Sequence, residues 1–170
     1  MEEIHVLTTN GLSAACAAAV VVAKYPDARI QFTSDHHIAR ALHDLHVNGS
    51  SGTVYVAGVG FDVPIEETLD TLKQLEGCSG NWCAGRTHPE LKKYRSRLSK
   101  VSVVTYLANE TDAGSMAQCL GVRKDARFES LIELAEEAES SAELSKDNQL
   151  LARLVMAGNQ HFYFYGDDSL

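Results

Sequence analysis

The sequence predicts a three-layer α/β/α fold built on a mostly parallel, Rossmann-like sheet of about five strands. Apolar segments rich in β-forming residues alternate with longer helical segments, and parallel strands require crossover connections of this kind. The segment TVYVAGVG at 53–60 is apolar almost throughout, which is typical of a strand covered by helices on both faces. The 170 residues suffice for one domain with a sizeable core.

Turn and breaker residues separate the elements. Asn10-Gly11 ends the first strand, and Pro26 ends the first long helix. Pro64 opens an amphipathic helix that Gly77 closes, and Pro89 starts the next helix. The predicted strands lie at 4–9, 28–33, 53–60, within 78–85 and at 100–108, and the predicted helices at about 12–24, 35–46, 64–77, from 89, at 114–122 and at 127–144.

The domain organisation predicted is one α/β domain over residues 1–170. The segment 140–170 is left open as the start of a linker or of a second domain. Within it, HFYFYG at 161–166 is predicted to be a final strand or an exposed aromatic end.

Composition restricts the class of protein. The acidic start MEEIHV does not resemble a secretory signal, and no apolar run reaches the roughly 18 residues that a membrane span needs. Four cysteines without a dense framework suggest reduced thiols. We therefore expect a cytoplasmic protein with no membrane partner.

Charge restricts the ligands. A net charge of −8 argues against a broad surface that grips duplex DNA. The basic residues concentrate in RTHPELKKYRSR at 86–97. This segment is either a solvated helix face or a stripe that follows phosphates along a strand.

Function is expected in the loops after the strands, because open parallel sheets bind ligands at the carboxyl ends of their strands. These loops read TTNGLS, TSDHH, AGVGFD, CAGRTHPE and LANETDAGS. None contains a P-loop or a G-x-G-x-x-G fingerprint, so no nucleotide cofactor is expected.

In order and spacing, the loops resemble those of a known enzyme family. TTNGLSAA stands where that family has Asp-x-Asp-Gly before a small-residue helix, and Gly58-Val59-Gly60 stands where it has Asp and a hydrophobic-Gly pair. Arg86-Thr87-His88-Pro89 stands where it has Asp-His-His-Pro, and ETDAGSMAQCL follows. Over about residues 4–120 the chain is similar to the N-terminal domain of the DHH phosphoesterases, which include RecJ-like exonucleases and exopolyphosphatase-related proteins.

The resemblance implies a two-metal phosphoesterase, but this sequence departs from it at the metal ligands. Family members hold two divalent ions that activate water and clamp the phosphoryl group, and Mn²⁺ or Mg²⁺ needs carboxylate oxygens. Of the family's ligand positions, only His88 keeps its residue type. The others carry Thr8, Asn10, Gly58, Arg86 and Thr87. We therefore expect no metal and no cofactor.

The remaining groups are suited to an anion. Gly11 opens a helix whose N-terminal amides attract negative charge, and Arg86 offers a guanidinium fork. The residues expected to bind phosphate or another ligand are Thr8, Thr9, Asn10, Gly11, Ser13, Gly58, Arg86, Thr87 and His88.

A literal Asp-His-His, Asp35-His36-His37, follows the second strand rather than the fourth. Asp35 or Ser34 is expected to be a helix N-cap, with both histidines in the first helical turn. The alternative is a relocated metal cluster that uses Asp35, His36 and His37. A separate zinc set, Cys78, Cys83 and His88, lacks the usual spacing and an evident fourth ligand. Most of the later acids, which are Asp112, Glu136, Glu137 and Glu139, are expected to lie on solvated helix faces.

Three functions are therefore left open, and the first two follow from the resemblance. The first is a non-catalytic DHH-like subunit of nucleic-acid metabolism that binds phosphate or a single strand, or that joins a protein partner in a replication or repair complex. The second is an active metal-dependent phosphoesterase on oligonucleotides, nucleotides or polyphosphate. The third is an α/β domain whose loop similarities are accidental. A homodimer is left open.

Overall fold

The structure is a computed structural model, and it describes residues 3–49, 51–61, 64–75, 78–140, 144–146, 148–149 and 152–153. The strands are β1 (Ile4–Thr8), β2 (Arg29–Phe32), β3 (Gly52–Ala57), β4 (Cys78–Ala84) and β5 (Val103–Tyr106). The helices are α1 (Leu12–Lys24), α2 (Ile38–Val47), α3 (Ile65–Gln74), α4 (Glu90–Leu98), α5 (Asp112–Cys119) and α6 (Glu129–Glu139), with a 3-10 turn at Ala126–Phe128.

The sheet is parallel in every described pairing and has the strand order β2-β1-β3-β4-β5. Right-handed crossovers place helices on both faces when the chain reverses direction in the sheet, as it does after β2. The reversal leaves a topological switch point between β1 and β3. The three-layer α/β/α prediction is confirmed.

Side chains along each strand point alternately to the two faces of the sheet, and this divides the core into two layers. Val6, Tyr55 and Cys83 pack on the side of α1, α5 and α6. Their neighbours Leu7 and Trp82 pack on the opposite side, with α2, α3 and α4. Both faces of the central strands are therefore buried, which explains why the sequence of β3 is apolar at consecutive positions.

Trp82 anchors the second layer. Its side chain is fully buried, and its Nε1 donates a hydrogen bond of 3.0 Å to the carbonyl of Val59 in the loop after β3. Phe61 stacks on it at a centroid distance of 4.7 Å. Trp82 therefore fixes the loop at the switch point to the end of β4.

Replacing Trp82 with phenylalanine is expected to lower the free energy of unfolding by about 2 kcal/mol, because a buried hydrogen bond is lost and a cavity remains. Since Trp82 is the single tryptophan, urea unfolding should be followed by circular dichroism. An unchanged free energy of unfolding would show that the hydrogen bond from the indole to the Val59 carbonyl does not stabilise the fold.

Some sequence predictions lie outside the described residues. Gly77, the expected end of the third helix, is one, and the aromatic segment 161–166 is another. The organisation of 140–170 is described at only a few positions, so its prediction stays open. No helix among the described residues is both long and apolar enough to cross a membrane.

Candidate functional site

A cleft of about 380 Å³ opens at the carboxyl ends of β1, β2 and β4, beside the switch point. It is lined by Thr9, Asn10, Gly11, Thr33, Ser34, Asp35, His36 and His88. Cavities of about 430 and 790 Å³ include Glu3 and Arg29, at the amino ends of β1 and β2. The smaller cleft is the candidate site because it lies among the loops that bind ligands in sheets of this kind.

Thr8 and Thr9 use their hydroxyls to join the loops of the switch point. Thr8 is buried, and its Oγ1 lies 3.0 Å from the carbonyl oxygens of both Ala14 and Ala57. The Thr9 hydroxyl donates to the carbonyl of Gly58 at 3.2 Å. The resemblance expects an aspartate in place of Thr8, but the Thr8 hydroxyl bonds to main chain.

Gly58 stands where the resemblance expects a second aspartate, and it has a left-handed backbone with φ of +59°. A Cβ built there would lie 2.6 Å from both the Ala14 Cβ and the Asp112 Oδ2. Both the backbone conformation and the close packing therefore disfavour a side chain at this position.

Asp35 is not the helix cap that the sequence predicted. Helix α2 begins at Ile38, after His37, and no side chain caps it. The Asp35 Oδ1 instead accepts a 2.8 Å hydrogen bond from the amide of Gly60, and the Ser34 Oγ lies 2.9 Å from the His37 Nδ1. The capping prediction is wrong because a contact across the switch point takes the carboxylate, and the two histidines precede the helix.

His88 lies between acidic side chains. Its Nε2 is 3.7 Å from the Asp112 Oδ2 and its Nδ1 is 3.4 Å from the Glu90 Oε1. Burial acts to lower the pKa of His88, but the carboxylates of Asp112, Glu90 and Asp35 outweigh it and raise the pKa above the ordinary value. This imidazole therefore tends to carry positive charge into the cleft.

Asp112, which the sequence analysis did not assign to the site, connects the cleft to α5. It is buried at the first position of that helix, and its Oδ1 accepts a 2.8 Å hydrogen bond from the amide of Gly85. The Thr87 hydroxyl lies 3.4 Å from both carboxylate oxygens. The Thr111-Asp112 pair, which follows the last strand as an N-cap and first-turn acid, was the available signal.

Arg86 makes two ion pairs with α6. Its Nη2 is 2.8 Å from the Glu136 Oε2, and its Nε is 2.8 Å from the Glu139 Oε2. The Ser13 hydroxyl also bonds to Glu139, whose side chain is only 5% exposed. The prediction that Glu139 is solvated is therefore wrong, because the guanidinium and the hydroxyl stabilise its buried charge.

The two metal ions that the resemblance implies would need carboxylate ligands, and the residues at these positions do not supply them. The positions carry hydroxyls, an amide, a glycine and a paired guanidinium, and His88 alone has the expected ligand type. Within the described ranges, no three His, Cys, Asp or Glu side chains are placed to hold a metal ion. The zinc set is not assembled either, because Cys83 and Cys78 pack on opposite faces of the sheet.

Comparisons with known proteins show the fold alone. The sequence matches no protein-family model and no curated protein sequence. The structure is similar to the crystal structure of an uncharacterized protein from Helicobacter pylori G27, with a TM-score of 0.65 and 9% sequence identity. The similarity covers 95% of this chain and 51% of that chain, so this chain spans about half its length.

Proposed function

We propose that this chain is a degenerate DHH-like domain that binds the phosphates of a single-stranded nucleic acid without hydrolysing it, as a binding or assembly subunit in replication or repair. The observation that carries the proposal is the cleft at the switch point. Amide, hydroxyl and imidazole groups line it where the family places carboxylates for metal ions. A protein partner is suggested by the resemblance and by the net charge of −8, which disfavours bare DNA.

The cleft offers positive potential from two sources. Gly11 precedes α1 in extended conformation, and the first helical hydrogen bond runs from the Ala15 amide to the Gly11 carbonyl. The helix dipole and the amides of the first turn favour an anion there. His88 adds charge when it is protonated. Asp35 opposes this potential, although its Oδ1 is bonded to the Gly60 amide.

A basic helix face favours an extended strand over a small phosphate. Lys92, Lys93 and Arg95 are exposed on α4, which begins two residues after His88. Tyr94 on this helix meets the edge of Phe61 at 5.8 Å, and both rings are partly exposed. Cationic side chains beside aromatic rings are typical of surfaces that bind single strands.

Reversing two charges on α4, by Lys92→Glu with Lys93→Glu, is expected to weaken binding of a fluorescein-labelled oligothymidylate by about tenfold or more. The logarithmic salt dependence should become shallower by about 1.4, since each phosphate contact on a single strand contributes about 0.7. Fluorescence anisotropy at several salt concentrations measures both quantities.

The matched control is Lys124→Glu with Lys146→Glu, two exposed lysines away from α4 that change the net charge equally. Equal weakening in both variants would mean that net charge, not the α4 surface, governs binding. If the unmodified protein binds no oligothymidylate at low salt, the proposed function is wrong.

A second candidate, a metal-dependent phosphoesterase, is favoured by the position of Asp35 in the cleft beside His36 and His88. It predicts hydrolysis of short oligonucleotides in the presence of Mn²⁺ and its loss in Asp35→Ala. The first proposal predicts no hydrolysis above that of a buffer control. Products separated on a denaturing gel distinguish the two.

A further inference from the structure

A carboxylate from α6 fills a set of anion donors between the N-terminal ends of α1 and α5. The Glu139 Oε1 accepts from the Ser13 hydroxyl and lies 3.3 Å from the Asp112 amide. Its Oε2 lies 2.8 Å from the Arg86 Nε. A hydroxyl, a helix N-terminal amide and a guanidinium thus converge on one oxyanion.

The donor set has the composition of a phosphate site. Guanidinium, hydroxyl and helix-amide donors bind carboxylates and phosphates by the same charge-assisted hydrogen bonds. The carboxylate that they hold is buried, and its Oε2 makes an ion pair with Arg86 without a hydrogen bond of good geometry. Glu139 therefore balances the charge of Arg86, but it does not make every hydrogen bond that the donors could offer to an anion.

Buried Asp112 lies between the donors and the cleft. The amide of this residue faces Glu139, whereas its carboxylate lies 3.7 Å from the imidazole of His88, which lines the cleft. A phosphate bound to the donors would therefore be separated from the cleft by one residue.

The last turn of α6 is attached mainly by these polar contacts. The apolar side chains that α6 buries in the core, Ile132, Leu134 and Ala135, all precede it. Residues 136–140 are partly or fully exposed as whole residues. Beyond this turn Leu144 packs against the core again, so Glu139 is expected to leave the donors by a change confined to its side chain and the exposed last turn, which exposes little apolar surface and therefore requires little free energy.

We infer that Ser13, the Asp112 amide and Arg86 form a second phosphate site, in which Glu139 is a resident substitute that an incoming phosphate of the strand displaces. The inference rests on the proposed function for the identity of the ligand. It adds a regulatory feature to it: the last turn of α6 competes with the strand.

Chemical rescue tests the site without nucleic acid. Glu139→Ala removes the carboxylate, and inorganic phosphate is expected to raise the melting temperature of this variant by about 3 °C or more over sodium chloride at equal ionic strength. The control Glu133→Ala removes an exposed carboxylate from the same helix and should gain less than about 1 °C. Adding Ser13→Ala or Arg86→Gln to Glu139→Ala should reduce the rescue.

Strand binding tests the competition, and it remains informative if Glu139→Ala does not fold. Glu139→Gln keeps the shape of the side chain and should bind the labelled oligothymidylate about fivefold or more tightly than Glu133→Gln, which changes the net charge equally. The inference is overturned if Glu139→Gln and Glu133→Gln bind oligothymidylate equally well. It is also overturned if phosphate raises the melting temperatures of Glu139→Ala and Glu133→Ala equally, or does not raise that of Glu139→Ala.

The outcomes separate the two proposals. Oligothymidylate binding without phosphate rescue removes the inference and leaves the proposed function. Phosphate rescue without any oligothymidylate binding leaves the anion site and removes the nucleic acid as its ligand.

Discussion

Gly58→Asp, which introduces the carboxylate that the resemblance to the DHH phosphoesterases would place here, is expected to lower the free energy of unfolding by about 4 kcal/mol. An L-residue in the left-handed region costs about 1–2 kcal/mol, and overpacking adds about 1–3 kcal/mol. The new Cβ would lie 2.6 Å from the Ala14 Cβ and from the Asp112 Oδ2, and the new charge would face Asp112. Equilibrium unfolding in urea measures the loss.

Gly121 provides the matched control for this position. It has φ of +70°, but a Cβ built there would meet no atom within 4 Å beyond its chain neighbours, so Gly121→Ala should cost only about 1 kcal/mol. Gly58→Ala should fall between the two, because it adds the clash without the charge. If Gly58→Asp is as stable as Gly121→Ala, the switch point has room for the missing metal ligand.

Asp112→Ala is expected to lower the free energy of unfolding by about 3 kcal/mol. The substitution leaves the buried amide of Gly85 without its acceptor and removes the carboxylate beside His88. Asp112→Asn keeps an oxygen for the Gly85 amide, so its loss should be about 1 kcal/mol near neutral pH. Equal losses would show that charge, rather than the Gly85 hydrogen bond, governs the site.

The same pair of variants predicts a pH dependence. Because folding raises the pKa of His88, its protonation contributes stability that is complete below the ordinary imidazole value and is lost as pH rises through the raised value. In Asp112→Asn this loss should be smaller, because the carboxylate that contributes most to raising the pKa of His88 is gone. Urea unfolding from about pH 5.5 to about pH 8.5 spans this interval. Parallel curves for both proteins would contradict the assignment.

The fold could be predicted from the sequence because its signals are local. Apolar runs and the breakers around them place all five described strands, and α1 ends at Lys24 as the position of Pro26 predicts. The strand order is different, because nothing in a local pattern states that β3 lies beside β1 rather than beside β2. That order creates the switch point and therefore the cleft.

The site was only partly predictable, because its decisive contacts join distant parts of the chain. Loop position brought Thr9, Asn10, Gly11 and His88 to the cleft, as expected from strands that end at one edge. The pairing of Arg86 with Glu139 spans 53 positions, and no sequence period indicates it. Whether Arg86 binds a ligand remains a prediction.

Asp35 shows how a local rule can fail at a functional site. An aspartate just before a helix is a common N-cap, but here the Gly60 amide from another loop is the donor that it meets. Tertiary contacts across the switch point take precedence because the loops after β2 and β3 approach each other there. Asp35 and His36 of the literal Asp-His-His therefore line the cleft, although the triplet follows the second strand rather than the fourth.

Titration of the unmodified protein with Mn²⁺, followed by calorimetry, measures whether the switch point can hold metal ions. We expect no saturable heat of binding, because hydroxyl, amide and glycine positions leave no ligand set there for a pair of divalent ions. Saturable binding of two ions per chain, lost in Asp35→Ala or His88→Ala, would contradict this expectation.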